Sequence, residues 1–161
     1  MEEEEVLGGR RVQKPSAADS LWQVPEVPVV ILSFAFHFIW EFLQVPTFEG
    51  MSERPHWQGI KICTAATVGD VGFALVAFWA TAAASRSRRW IASPQLWQLG
   101  VFVGVGVGLT IGFEYYYVEV TGRWSYSELM PRVPPLGTGL SPLLQWIFVP
   151  LLVANLTRRI I

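Results

Sequence analysis

The chain has 161 residues, of which 52% are hydrophobic and only 16% are charged, whereas soluble domains carry about 25% charged residues. This composition excludes disorder over most of the length and argues against a soluble globule. The net charge of −1 gives no electrostatic reason to expect nucleic acid as a partner, and the single cysteine, Cys63, excludes an intrachain disulfide. The sequence therefore predicts an integral membrane protein.

Four apolar segments follow one another along the chain. A helix needs about 20 predominantly apolar residues to cross the hydrocarbon core of a bilayer. Segments of about this kind cover residues 27–45, 60–84, 96–118 and 140–156. They predict an all-α fold, with a four-helix transmembrane bundle over residues 27–157. We expect residues 1–26, which start with an acidic run, to form a disordered tail, and residues 158–161 to form a short basic tail.

The distribution of basic residues predicts the orientation of these helices. The N-terminal segment, the second loop and the C-terminus together hold eight Lys and Arg residues, and the other side holds four. Since basic loops stay on the cytoplasmic side of a membrane, both termini should be cytoplasmic. The membrane should be the cytoplasmic membrane of a bacterium, or the endoplasmic reticulum if the source is eukaryotic.

The predicted helices carry polar side chains at spacings of three or four residues, which places them on one helix face. At a rise of about 1.5 Å per residue, the four polar faces reach a similar depth in the outer half of the bilayer. The titratable side chains of this layer, which are the candidate catalytic residues, are His37, Glu41, Asp70 and Glu114. The candidate ligand-binding residues around them are Trp40, Gln44, Thr67, Thr110, Tyr117, Gln145 and Trp146.

A charge at this depth is costly unless it is paired or hydrated, so three carboxyls and an imidazole in one layer predict an enclosed polar cavity. Carboxyls that lie close together cannot all ionise at low cost, which leaves a proton donor for acid–base chemistry. The alternative is structural, because buried polar side chains also join transmembrane helices through hydrogen bonds. The hydroxyls of Thr67 and Thr110 can also bond to their own helix.

Aromatic residues gather at the end of the third helix and in the third loop. Side chains of this kind are typical of a belt at the membrane surface, and we expect Tyr126 to belong to it. Tyr117 is the exception, because it shares the helix face of Glu114. The third helix also has glycine at every fourth position, a pattern called here the glycine stripe: Gly100, Gly104, Gly108 and Gly112. Such repeats allow close helix packing, either within the bundle or between subunits of a homo-oligomer or a larger membrane complex.

Motifs of several enzyme classes are absent from the sequence. It has no Gly-x-Ser-x-Gly element of a hydrolase and no phosphate-binding P-loop. Its two histidines, His37 and His56, do not share a helix face, which argues against a bis-histidine haem, and the repeated Glu-x-x-His of a di-iron site is missing. We therefore expect neither a cofactor nor a metal.

The order of the polar residues resembles that of the EXPERA group, four-helix membrane proteins that include sterol isomerases of the emopamil-binding-protein type and the sigma-2 receptor type. The shared features are the His-x-x-x-Glu of the first helix, an acid on the second, an acid beside aromatics on the third, and an amide with a tryptophan on the fourth: His37, Glu41, Asp70, Glu114, Gln145 and Trp146. The isomerases of that group move a double bond through a carbocation. The resemblance implies that His37 and Glu41 handle protonation. It implies further that Trp146 faces the cation and that Asp70 or Glu114 takes a proton.

The third loop, over residues 122–142, resembles instead a family of small bacterial integral membrane proteins of unassigned activity. Three functions therefore stay open. The first is an isomerase or a binding protein for a lipophilic small molecule of sterol or terpenoid type, working among membrane lipids. The second is an accessory subunit or assembly factor of a larger membrane complex, and the third is a proton or ion pathway through the buried carboxyls.

Overall fold

The computed structural model describes residues 21–161, so most of the acidic tail predicted for residues 1–26 lies outside the described part. The fold consists of four long helices and one short hairpin. The helices are α1 (Glu26–Gln44), α2 (His56–Ser85), α3 (Leu96–Tyr115) and α4 (Leu140–Ile160). A 3₁₀ turn, Val45–Thr47, extends α1, and a π-helical turn, Tyr116–Val120, extends α3. All four helices are long and apolar enough to cross a membrane, as the four apolar segments predicted.

Two helices run further than the apolar segments that predicted them. The second helix begins at His56, directly after Pro55. The fourth continues through Arg158 and Arg159 in its last turn, where positive charges complement the negative end of the helix dipole. Residues 158–160 of the predicted basic tail are therefore the last turn of α4. Hydropathy does not detect such polar turns, because the backbone hydrogen bonds of a helix do not require apolar side chains.

Each helix packs against its neighbours in the chain, and α4 closes the bundle by packing against α1. An apolar core fills the half of the bundle near the loop between α2 and α3. Its buried side chains come from all four helices and include Val29, Phe78, Phe102 and Val153. The loop adds Trp90, whose indole N–H donates to the carbonyl oxygen of Phe78 at 3.3 Å. The predicted polar layer lies in the other half of the bundle.

The burial of α3 shows which of its faces meets the bundle. Its buried residues recur at every fourth position, at Gln98, Phe102, Gly106 and Thr110, and the glycine stripe lies away from them. A Cβ atom added at any glycine of the stripe would meet nothing within 4 Å. The stripe therefore does not pack within the described bundle, and only its contact with another chain remains a prediction. Close packing instead requires Gly106, where a Cβ would lie 2.1 Å from Trp146.

The first and third loops pair with each other at the end of the bundle opposite the apolar core. Phe48 and Tyr126 form an antiparallel bridge, and the N–H of Glu49 donates to the carbonyl oxygen of Ser125 at 3.0 Å. The third loop then forms the hairpin of β1 and β2, Arg132–Val133 and Thr138–Gly139. We call these two paired loops, residues 45–55 and 121–139, the loop cap. The cap covers the polar half of the bundle.

Candidate functional site

The side-chain amide of Gln145 lies at the centre of the polar layer. Its nitrogen is 2.9 Å from His37 Nδ1 and 3.2 Å from both Glu41 Oε1 and Asp70 Oδ2. An amide group has only two hydrogens, so it can donate to two of these three acceptors at one time. Gln145 therefore joins α4 to α1 and α2 and gathers an imidazole and two carboxyls around a single nitrogen.

Trp146, the next residue of α4, contacts two of the same groups. Its indole N–H donates to Asp70 Oδ1 at 3.3 Å, and its ring lies 4.9 Å from the imidazole of His37 between centroids. His37 is fully buried, and its Nε2 has no hydrogen-bond partner among the described residues. The imidazole is therefore held through its Nδ1 and its ring face, away from solvent.

A second chain of hydrogen bonds fixes Glu41 from the side of the loop cap. The amide of Gln44 donates to Glu41 Oε1 at 2.7 Å, and the hydroxyl of Ser141 donates to Gln44 Oε1 at 2.9 Å. The indole N–H of Trp40 donates in turn to the Ser141 hydroxyl at 3.1 Å. Ser141 and Gln145 are four residues apart and share one face of α4. One face of α4 therefore orients the Glu41 carboxyl twice, directly and through Gln44.

Glu114 is held by the loop cap. The hydroxyl of Tyr126 donates to the Glu114 carboxylate and accepts a hydrogen bond from the N–H of Gly139 at 3.0 Å. Burial, and then the charge of Glu114, raise the pKa of Tyr126, so the phenol stays protonated and can donate. Gly139 has no room for a side chain, because a Cβ there would lie 3.0 Å from the Tyr126 ring. Tyr126 is buried in this site, so the expectation that it belongs to an aromatic belt at the membrane surface is wrong.

A cavity of about 460 Å³ opens beside these groups, within the range of about 300–1,000 Å³ that small-molecule sites have. The carboxyls of Glu41, Asp70 and Glu114 line it. Thr110 also lines the cavity, and its buried hydroxyl has no hydrogen-bond partner in the part of the chain that the structure describes. The cavity therefore offers a ligand three carboxyls and a hydroxyl whose hydrogen bond is not already used.

One wall of the cavity is apolar and faces outward between α2 and α3. The residues Ile62, Ala65 and Gly69 of α2 line the cavity and are exposed on the helix surface. Phe73 and Phe113 line it as well, and their rings meet edge to face with centroids 4.7 Å apart. Since α2 is apolar enough to span a membrane, this wall presents apolar side chains on the outer surface of the bundle.

The structure brings most of the predicted site residues to this cavity. Among the candidate catalytic residues, His37 alone does not line it and lies against Gln145 instead. Trp40 and Thr67 do not line it either; the Thr67 hydroxyl donates to the Cys63 carbonyl oxygen of its own helix at 2.8 Å. The candidate ligand-binding residues that do line the cavity are Gln44, Thr110, Tyr117, Gln145 and Trp146.

The residues of the site that the sequence does not predict include four with polar or charged side chains. Ser141 could have been found, because it lies one helical turn before Gln145. Tyr126 has no local pattern that marks it, since the loop cap brings it back to Glu114. Arg54 and Arg123 line the cavity, and the sequence has no pattern that distinguishes them from other loop charges.

The described residues offer proton transfer by carboxyls and hydrogen bonding by amide, hydroxyl and phenol groups. Within residues 21–161, no group of three or more His, Cys, Asp or Glu side chains is arranged to hold a metal ion. Comparison of the chain with protein-family models, with curated proteins and with solved structures gave no match.

Proposed function

We propose that the chain is a membrane protein that binds a lipophilic molecule of sterol or terpenoid type in this cavity and isomerises it by acid–base chemistry. The observation that carries the proposal is that Glu41, Asp70 and Glu114 line one cavity between helices able to span a membrane. Carboxyls are costly in such segments and are typical of functional sites there. The three carboxyls also accept hydrogen bonds from neighbouring segments, but a purely structural role would not require all three to line one cavity.

The remaining lining of the cavity suits a flat hydrocarbon with one polar group. The rings of Phe73 and Phe113 and the outward α2 wall are apolar, and the Thr110 hydroxyl supplies a single hydrogen bond. The Trp146 ring also lines the cavity, and an indole face attracts a cation. Carboxylates nearby stabilise positive charge in the same way. The cavity is therefore suited to a reaction in which the ligand becomes transiently cationic.

Isomerisation of this kind moves a carbon–carbon double bond by one position. A protonated carboxyl gives its proton to one alkene carbon, and the adjacent carbon becomes a carbocation. A second carboxylate then removes a proton from the carbon on the far side, and the electron pair of that C–H bond forms the new double bond. The ligand neither gains nor loses an atom, and one proton has passed from one carboxyl to the other.

Glu41 and Asp70 suit these two roles because both line the cavity and both flank the amide nitrogen of Gln145. The amide has only two hydrogens for its three neighbouring acceptors. A proton held by Glu41 or Asp70 therefore supplies the third hydrogen of this cluster. His37 does not line the cavity, and in this proposal it is a positioning residue that acts through Gln145. The resemblance to the EXPERA group supports the same type of reaction, with His37 in a different role.

The test is turnover in D₂O. The lipids that co-purify with the protein are identified by mass spectrometry, and sterol or terpenoid alkenes among them are incubated with purified protein in D₂O. We expect one deuterium at the carbon that is protonated. Glu41→Gln and Asp70→Asn should abolish the incorporation, whereas Glu128→Gln, an exposed carboxyl of the loop cap outside the cavity, should not.

Two results would contradict this proposal. Incorporation that is unchanged in both cavity variants would remove the acid–base role of the carboxyls. Loss of thermal stability in both variants, with no lipophilic molecule bound to the native protein, would make the polar cluster a hydrogen-bonded contact between helices.

The glycine stripe favours a second candidate, an accessory subunit of a larger membrane complex. Its four glycines face away from the bundle, and small residues at this spacing are typical of contacts between transmembrane helices. Gly108→Leu should then reduce the recovery of partner subunits, or of a second copy of the chain, after crosslinking in membranes. Equal crosslinking of the native protein and the variant would argue against this role.

A further inference from the structure

The charged residues of the loop cap are not distributed evenly around the cavity. The cap and the adjoining turn carry several acidic side chains that do not line it, which are Glu49, Glu53, Glu119 and Glu128. The two charged residues of the cap that do line it are Arg54 and Arg123, and both are exposed. The cavity thus has guanidinium groups at its exposed end and carboxyls on its inner wall.

The position of Arg123 is fixed by the turn that ends α3. Gly122 has a φ of +59°, a backbone conformation that side chains disfavour, and the N–H of Arg123 donates to the carbonyl oxygen of Tyr117 at 2.8 Å. The guanidinium lies over the Tyr117 ring, 5.1 Å from its centroid, and this ring packs at 4.6 Å against that of Trp124. The contact with the Tyr117 ring places the guanidinium beside the cavity, which Arg123 lines.

Neither arginine is neutralised by a carboxylate within residues 21–161. Two of the acidic residues nearby have other partners: the Ser125 hydroxyl donates to Glu49 at 2.7 Å, and Glu119 pairs with Arg132 at 3.5 Å. Two cationic side chains from different loops therefore border one cavity, and neither forms an ion pair within the described residues.

We propose that Arg54 and Arg123 bind the acidic head group of an amphiphile, a phosphate or a carboxylate on a hydrocarbon chain. This inference rests on the proposed function, because it names the class of lipophilic molecule that the same cavity takes. A guanidinium presents paired N–H donors whose spacing matches two oxygens of a phosphate or carboxylate. Arginine is for this reason the residue that recognises such groups in two-point contacts.

The opposite ends of the cavity orient such a molecule. Carboxylates on the inner wall repel an anion, so the head group stays beside the arginines. The hydrocarbon chain then lies along the outward wall of Ile62, Ala65 and Gly69 and reaches the level of Asp70. A double bond in the chain is thereby placed against the carboxyls, with its direction set by the head group.

The test compares three probes on the purified protein in phosphatidylcholine nanodiscs, read by the fluorescence of the tryptophans that line the cavity. The probes are farnesyl phosphate, farnesol and inorganic phosphate. We expect farnesyl phosphate to bind at least about tenfold more tightly than farnesol, and inorganic phosphate at equal concentration not to displace it. Arg54→Gln and Arg123→Gln should each remove about tenfold of the affinity for farnesyl phosphate and leave that for farnesol unchanged. Lys61→Gln removes a charge at the same end of the bundle but outside the cavity, and should change neither affinity.

Each other outcome overturns the inference in a distinguishable way. Equal affinity for farnesyl phosphate and farnesol, unaffected by the arginine variants, removes the head-group site and leaves the lipophilic cavity standing. A loss in Lys61→Gln as large as in the arginine variants makes the effect one of general surface charge. Displacement by inorganic phosphate makes the arginines a site for a free anion. Failure of all three probes to bind contradicts the proposed function itself, and the head-group site with it.

Discussion

Gly106 of α3 lies directly against the indole of Trp146 in α4, so that a Cβ atom at position 106 would lie 2.1 Å from Cε3 and 2.3 Å from Cζ3 of that ring. Both residues are buried, and the same indole donates to Asp70. The absence of a side chain at position 106 therefore determines where the indole stands relative to the cavity.

Gly106→Ala should destabilise the protein by about 1–3 kcal/mol, because overpacking forces the indole or the helices to shift. It should also weaken ligand binding, because the indole of Trp146 lines the cavity and donates to Asp70. Gly108→Ala, on the open face of the same helix, is the matched control and should be neutral or slightly stabilising. The stability of both variants is measured by unfolding in detergent, followed by tryptophan fluorescence. Equal stability of the two variants would contradict the packing described here.

Gln145→Leu should cost about 2 kcal/mol or more, because it leaves the buried His37 and the half-buried carboxyls of Glu41 and Asp70 without their shared donor. The comparison is Thr81→Val, which removes a buried hydroxyl that only donates to its own helix, to Ala77 at 2.9 Å. That variant should lose much less stability. If Gln145→Leu were as stable as Thr81→Val in the same detergent, the amide would not be the centre of the polar layer.

Tyr126→Phe should loosen the loop cap. It removes the donor to Glu114 and the acceptor for the N–H of Gly139, each worth about 1–3 kcal/mol when its partner is left buried and unpaired. We expect faster hydrogen exchange at Gly139 and the neighbouring hairpin. Tyr116→Phe is the control, because Tyr116 is 51% exposed. Exchange rates that are the same in the two variants would show that the phenol does not hold the cap.

The predicted orientation can be tested by labelling of introduced cysteines from outside the cell. Glu128→Cys places a thiol on the exposed loop cap, and Ser87→Cys places one in the exposed loop between α2 and α3. With cytoplasmic termini, a membrane-impermeant reagent should label position 128 and not position 87. The native Cys63 is buried and should stay unlabelled in the parent protein. Labelling at position 87 alone would contradict the predicted orientation and indicate the opposite one.

The sequence is sufficient for those features that depend on a single helix. Hydropathy finds the four helices because each must be apolar over its own length. The four-residue spacing of His37 and Glu41 also predicts that both side chains project from one face of α1. In both cases the relevant distances lie within one segment of regular backbone.

Features that depend on contacts between different segments cannot be predicted from the sequence in this way. Periodicity on α3 is equally strong for the glycine stripe and for the face of Gly106, and only contact with Trp146 separates a packed glycine from an open one. The role of Tyr126 depends on the course of an irregular loop. A chain of turns has no period from which its endpoint follows, so the contact with Glu114 requires the folded structure.

The polar layer also has a consequence for biosynthesis. The side-chain amide of Gln145 donates to Glu41, which lies 104 residues earlier in the chain. It also donates to Asp70, which lies 75 residues earlier. A ribosome therefore completes both acid-bearing helices, α1 and α2, well before it synthesises the amide of α4 that donates to both carboxyls. During that interval the hydrogen bonds that Gln145 later supplies must come from other donors, because a carboxyl without a partner is costly in an apolar environment. The hydrogen bonds from α4 to both carboxyls can therefore form only after the two helices that carry those carboxyls have been synthesised.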